Sequence, residues 1–198
     1  MFQLRIHGRG GQGVVTAAEM LSAAAFAEGR HAQAFPSFGS ERMGAPVVAF
    51  CRIDDREIRL REPIVEPDAL IIQDPTLLHQ VDVFAGLRRD GFILINTSKN
   101  FDQLGLGDYV RGWHPERLCT VPATELSIKH LRRPMPNVPL LAAFAAISGT
   151  IRLESVTKAI EERFPAKVAV ANMAAATEAY LFAMAEMKAA IDKESADA

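Results

Sequence analysis

Cysteine is nearly missing from this chain. Cys51 and Cys119 are the two in 198 residues, and neither sits in a CxxC pair or beside a histidine cluster. That excludes an ordered zinc site or a cysteine-held iron–sulfur cluster built by this chain alone, so any redox metal must come from another polypeptide. Each cysteine lies inside an apolar run, where it reads as a small buried hydrophobe. An excess of one charge sign is missing too, since 24 acidic and 22 basic side chains are scattered along the length and leave a formal charge of -2. Without a basic stripe to neutralise phosphates, nucleic acid is not an expected partner. Long apolar runs are absent as well: stretches such as "LLAAFAAI", Leu140 to Ile147, fall far below the roughly 20 residues that cross a bilayer. No charged leader precedes the first strand-like segment, which sets the expectation of a cytoplasmic protein. The histidines, His7, His31, His79, His114 and His130, show no i, i+3 or i, i+4 pairing, so they name no general acid, base or metal-ligating set.

What is present is a core-forming composition, with 49% hydrophobic and 23% charged residues. That suffices for one domain without disulfides, expected over residues 1–190, with a frayed tail at 191–198. Phe2 to His7 alternates like a strand, and Val14, Ala17, Ala18, Leu21 and Ala25 share one face of a following helix. "HAQAF" reads as a second strand stopped by Pro36. Pro46 to Ile53 and Glu57 to Leu60 flank "DDR" and predict a β-hairpin. "DALIIQD" and "GFILIN" are apolar throughout, as in strands covered on both faces, and "PTLLHQVDVFAGL" between them has helical spacing. This second βαβ unit predicts a parallel sheet.

Two more short strands are expected at "DYVR" and "LCTV", and Pro122 and Thr124 suit the opening of a helix in "PATELSIKHL". "NVPLLAAFAAISG", "LESVTKAIEERF" and the alanine- and methionine-rich "VANMAAATEAYLFAMAEMKAAI" complete a helical C-terminus. The expected fold is α/β: a Rossmann-like three-layer α/β/α arrangement with a mostly parallel sheet, a β-hairpin insertion and helices at the end.

Two segments carry the chemistry. In "GRGGQG", Gly8, Gly10 and Gly13 fit G-x-G-x-x-G directly after a strand and at a helix N-terminus, where backbone N–H groups can receive an anion. A dinucleotide site would also need an acidic residue ending the second strand, roughly 20 residues on. Ala34 and Phe35 stand there instead; Glu28 comes too early and Glu41 too late. A free-standing NAD-dependent oxidoreductase therefore remains only as the alternative reading. Tight helix–strand packing would also want glycines, but Arg9 and Gln12 project from the turn and argue for more than architecture. The second segment, "FPSFGSERMGAPV", packs aromatic, glycine and charged residues into a loop at strand ends, where α/β sheets meet ligands and partners. Phe35 and Phe38 equally suit core anchoring, and Glu41 with Arg42 a solvated ion pair. Asp74 and Asn96, ending two predicted strands, suit ligand contact and turn capping alike.

Taken in order and at this spacing, the two segments resemble the gamma subunit, or gamma domain, of the 2-oxoacid:acceptor oxidoreductases typified by pyruvate:ferredoxin oxidoreductase. "DALIIQDPTLL", "GFILINTSK" and "NVPLLAAFA" opening at Asn137 extend the resemblance over nearly the full chain. The ending "ER-x-GAPV" resembles the pyruvate-type branch. Met43 stands where such relatives often have arginine, which keeps an aromatic 2-oxoacid such as phenylglyoxylate open. The resemblance implies oxidative decarboxylation of a 2-oxoacid with CoA to an acyl-CoA, with electrons passed to ferredoxin or another acceptor. It implies thiamine diphosphate, Mg2+ and iron–sulfur clusters on partner alpha, beta and ferredoxin-like delta subunits, and no catalysis by this chain alone. It further implies that Gly8, Arg9, Gly10, Gly11, Gln12 and Gly13 receive an anion, CoA foremost. Phe38, Gly39, Ser40, Glu41, Arg42 and Asn137 would then form the active-site entrance or a subunit interface.

Overall fold

The first strand meets two different environments. In β1 (Phe2–Arg9), Leu4 and Ile6 are sealed beneath helices, while Arg5 and His7 point to the opposite face of the sheet and are buried there. The computed structural model describes residues 1–37 and 43–197. After α1 (Val14–Ala27) come β2 (His31–Pro36), β3 (Pro46–Asp54), β4 (Ala69–Ile72), β5 (Phe92–Asn96) and β6 (Leu118–Val121). Four helices follow: α2 (Ala123–Leu131), α3 (Asn137–Ser148), α4 (Leu153–Arg163) and α5 (Ala166–Asp197).

The six strands form one mixed sheet in the order β2-β3-β1-β4-β5-β6. Strands β1, β4, β5 and β6 run parallel, and β3 runs antiparallel to both β1 and β2. The register sets Leu4 opposite Cys51 and Ile6 opposite Ala49, so one face of this half is continuous with the core under the helices. The four residues of β4 are buried on both faces, which explains their uninterrupted apolar run.

Helix α3 is the centre of the helical layer. All its residues from Asn137 to Ile147 are buried, as a helix apolar on every side must be, and Gly149 ends it at φ 60°. Helix α5 is long and apolar enough by composition to cross a bilayer, over Ala166–Lys193. Here Ala175, Ala176, Ala179 and Ala183 let it pack closely along α3 instead.

The sheet, the parallel core and the helical end match the expected fold, and three segments differ from it. Glu57–Leu60 forms no strand, so the hairpin with Pro46–Ile53 is replaced by β3 inserted between β1 and β2. The crossing segment instead gives its Glu62 carbonyl to Arg52 Nη2 at 2.6 Å. Pro75–His79 is a 3-10 turn followed by irregular chain rather than an α-helix. Its continuation is held open because the carbonyls of Val83 and Ala85 accept from Arg5 Nη2 at 3.0 and 2.6 Å and are lost to a helical ladder. "DYVR" lies in turns bracketed by Gly105 and Gly112, both at positive φ. Coil and 3-10 turns thus cover the second face, over a small cluster of Ile72, Leu77, Val83, Ile93 and Ile95. Helix α5 runs from Ala166 to Asp197.

Phe144, fully buried in α3 and 6.0 Å between ring centroids from Phe2, carries much of the main core. Phe144→Ala is expected to lower stability by about 3–5 kcal/mol in chemical denaturation of the purified chain. A loss below about 1 kcal/mol would mean that the helical layer is not packed as described.

Candidate functional site

No side chain fits where β1 hands the chain to α1. A methyl group on Gly8 would lie 2.6 Å from Val14 Cγ2 and 3.2 Å from Gln73 Cβ, and one on Gly13 would lie 2.5 Å from Asn137 Nδ2. Gly11 at φ 93° and Gly13 at φ 72° also hold left-handed backbone, which glycine adopts without steric cost. Gly13 caps α1 without a side chain, and the first N–H to find a helical partner is that of Ala17, donating to Gly13 O at 2.9 Å. The N–H groups of Val14, Val15 and Thr16 have no acceptor among the described residues. They line an open depression of about 320 Å³ together with Arg9, Gly10 and Gly11.

Residues on the far side lock the turn. Asp74 Oδ2 accepts from Arg9 Nε at 3.1 Å and from Gln12 Nε2 at 2.9 Å. Gln12 Oε1 accepts the Arg9 backbone N–H at 2.8 Å. Burial works against the Asp74 carboxylate, yet hydrogen bonds from Thr76 and Gln12 and the Arg9 charge outweigh it and hold the group below the ordinary carboxylate value. Arg9 also donates to Gly44 O at 3.0 Å, Thr76 Oγ1 at 2.7 Å and Gln80 Oε1 at 2.8 Å. Four of its five N–H groups thus go to protein acceptors.

The end of the second segment is zipped to this turn. Gly10 N donates to Ala45 O at 2.9 Å, Gly44 N donates to Gly10 O at 3.1 Å, and Met43, 87% exposed, rests its thioether over Gly11. Phe38, Gly39, Ser40, Glu41 and Arg42 lie outside the described residues. Asn137 does join the site: its buried side chain abuts Gly13 and faces a second groove of about 360 Å³ that shares Thr16 and Met135 with the first. Arg133 and Arg163 stand on the rim of that groove, where sequence patterning did not place them. The signal that could have found them is their position just beyond α2 and at the end of α4, the helix ends that flank α3.

Other candidates resolve as structural. Asn96 Nδ2 donates to Gln73 O at 2.7 Å and to Thr124 Oγ1 at 2.8 Å, and its Oδ1 accepts from Thr124 N at 3.1 Å, tying β4, β5 and the start of α2 together. Burial pushes both the Cys51 and Cys119 thiols up to about 12, which leaves no reactive thiolate. Among the described residues no group of three or more His, Cys, Asp or Glu side chains could hold a metal. The dinucleotide reading finds no support. Among the described residues no acid stands at the tip of β2, Glu28 is bonded to Arg152 N at 2.8 Å, and Arg9, Gln12 and Asp74 bond one another between the β1 and β4 ends.

A mixed α/β sheet with a glycine turn at its first strand-to-helix junction places the chain among α/β proteins that meet ligands or partners at strand ends. Residues 3–182 match the family described as pyruvate ferredoxin/flavodoxin oxidoreductase, and the chain belongs to that family. It is 46% identical over 180 residues to the pyruvate/ketoisovalerate oxidoreductases common subunit gamma of Pyrococcus abyssi, covering 91% of this chain and 96% of that one. It is 47% identical, at the same coverage, to the pyruvate synthase subunit PorC of Methanocaldococcus jannaschii. The crystal structure of pyruvate oxidoreductase subunit PORC from Thermotoga maritima superimposes with a TM-score of 0.77 at 37% identity, covering 91% of this chain and 95% of that chain.

Two outcomes follow from the geometry. Gly13→Ala is expected to cost about 1–3 kcal/mol, and adding Asn137→Gly should recover the contact part but not the backbone part, as read by thermal denaturation. Burial, with Arg5 adding its charge, pushes His7 down from 6.5 to about 4. The unfolded chain therefore binds that proton first, and stability falls as pH drops from 6.5 towards 4. Between pH 7 and pH 5 the loss should be about 2 kcal/mol, and it should vanish in His7→Leu when both are compared by urea denaturation.

Proposed function

We propose that this chain serves as the gamma subunit of a cytoplasmic, multi-subunit 2-oxoacid oxidoreductase that converts a 2-oxoacid and CoA to an acyl-CoA and CO2, passing two electrons to ferredoxin or a similar acceptor. Likeness to gamma-type relatives along 91% of this chain and 96% of theirs supports that role. The relatives named for pyruvate and ketoisovalerate support a small aliphatic 2-oxoacid over phenylglyoxylate.

Thiamine diphosphate, with Mg2+, and iron–sulfur clusters supply the decarboxylation and electron transfer from alpha, beta and ferredoxin-like delta partners. The described residues of this chain do not fit those groups, having neither a cysteine set nor a carboxylate cluster. What this chain contributes is the glycine turn. Its N–H groups at Val14, Val15 and Thr16 suit the phosphates of CoA, and the neighbouring groove, with Arg133, Arg163 and the Asn137 amide, suits the remainder of an extended nucleotide. The observation that carries this reading is the start of α1, whose first N–H groups have no acceptor among the described residues and open onto a depression beside that groove. Phe38, Gly39, Ser40, Glu41 and Arg42 are assigned by the same reading to the active-site entrance or a subunit interface, with Arg42 as the charge most able to meet CoA phosphate or a partner acid.

The test is to tag the chain in its native host, isolate its complex anaerobically, and record the visible spectrum and the CoA-dependent oxidation of pyruvate, ketoisovalerate and phenylglyoxylate. A brown complex that oxidises pyruvate or ketoisovalerate fastest is the expected result. A colourless single chain that binds NAD would sink the proposal, and fastest turnover of phenylglyoxylate would overturn the choice of substrate.

A further inference from the structure

We infer that Asp74 is the positioning residue that fixes the glycine turn and ties it to residues 43–45. In the stretch Gly10 to Gly13, Gln12 is the one residue with a side chain. A segment of glycines has the least intrinsic preference for any one conformation, and Gly11 and Gly13 hold positive φ, so the turn depends on whatever grips that single handle. Asp74 does so, through Oδ2 and Gln12 Nε2 at 2.9 Å. The same oxygen holds Arg9 Nε at 3.1 Å, while Oδ1 accepts from Thr76 N at 3.0 Å and Thr76 Oγ1 at 2.6 Å.

These bonds close a ring. Gln12 Oε1 takes the Arg9 backbone N–H, the Arg9 side chain returns to Asp74, and Asp74 returns to Gln12. From the ring one arm reaches outward, Arg9 Nη1 to Gly44 O at 3.0 Å, which anchors the end of the second segment. Among the described residues no other carboxylate bonds Arg9 or Gln12, so Asp74 is the one charged acceptor that adds to the backbone bonds joining Gly10 to residues 44 and 45. The activity readout below rests on the reading of this turn as the CoA site; the structural readout does not.

The geometry allows a reciprocal test in the assembled complex. Asp74→Asn puts an amide against the donors of Gln12 and Arg9, and Gln12→Glu puts a second carboxylate against Asp74. Each change alone is wrong. Combined, the new amide at position 74 donates to the new carboxylate at position 12 and one negative charge remains beside Arg9, while the bond from Arg9 Nε to position 74 is not rebuilt. Each single variant is expected to raise the KM for CoA about tenfold, with kcat within about twofold and the KM for the 2-oxoacid unmoved, and to speed amide hydrogen exchange in residues 8–13 and 43–45. The double variant should recover part of both readouts and be better than either single variant. Unchanged exchange in these segments in both single variants, or a double variant no better than the worse single one, would overturn the inference. Faster exchange without a change in the KM for CoA supports Asp74 as the lock and rejects CoA at the turn. Should the Asp74→Asn complex not assemble, Gln12→Ala removes the handle from the other side. It must then speed exchange in residues 10–13, and failure to do so overturns the inference equally.

Discussion

The structure turns on a place where nothing larger than hydrogen is tolerated. Between the last residues of β1 and the first turn of α1, a Cβ on Gly8 or Gly13 would sit 2.6 or 2.5 Å from its neighbour. That closeness lets α1 lie directly on β1 and brings Asn137, from the start of α3, against the turn. Gly13 at the start of α1 offers no side-chain cap, and among the described residues the first N–H groups of the helix have no acceptor. Tight packing and an uncapped helix start are therefore one feature, and neither can be altered without altering the other.

A turn so poor in side chains needs support from outside. Arg9 and Gln12 supply it by reaching back under the turn to Asp74 at the end of β4, so the cradle is held by the parallel core of the sheet. The same arginine holds Gly44, and Gly10 exchanges backbone bonds with residues 44 and 45. The glycine turn and residues 43–45 of the second segment are thus parts of one hydrogen-bonded body. Their joint occurrence at fixed spacing has a mechanical basis.

Much of this was legible from the sequence, for identifiable reasons. Alternation marked β1, helical spacing marked α1 and uninterrupted apolar runs marked β4 and β5, because their apolar faces are continuous with the core. The expected helix after Pro75 failed because its carbonyls serve Arg5, a contact from a strand 78 and 80 residues away that no local pattern records. The hairpin failed for a similar reason: β3 is recruited by two strands earlier in the chain rather than by the short run after it. In the site, the glycines were readable because their spacing encodes conformation. Asp74 was left between ligand contact and capping, and it bonds the turn and also caps the 3-10 segment through Thr76 N. The rim arginines Arg133 and Arg163 become neighbours only when α2, α4 and α5 close around α3.

The charge arrangement limits what such a turn can do by itself. Arg9 and Asp74 neutralise one another, and the helix end offers about half an elementary charge spread over a few N–H groups. With a formal chain charge of -2 there is no strong field to draw an anion from solution. The turn by itself therefore exerts little pull on an anion, and a ligand seated there would need further contacts from beyond it for tight binding. In the proposed role, a rigid glycine surface would set the pose of the ligand while partner subunits supplied the charge and the chemistry.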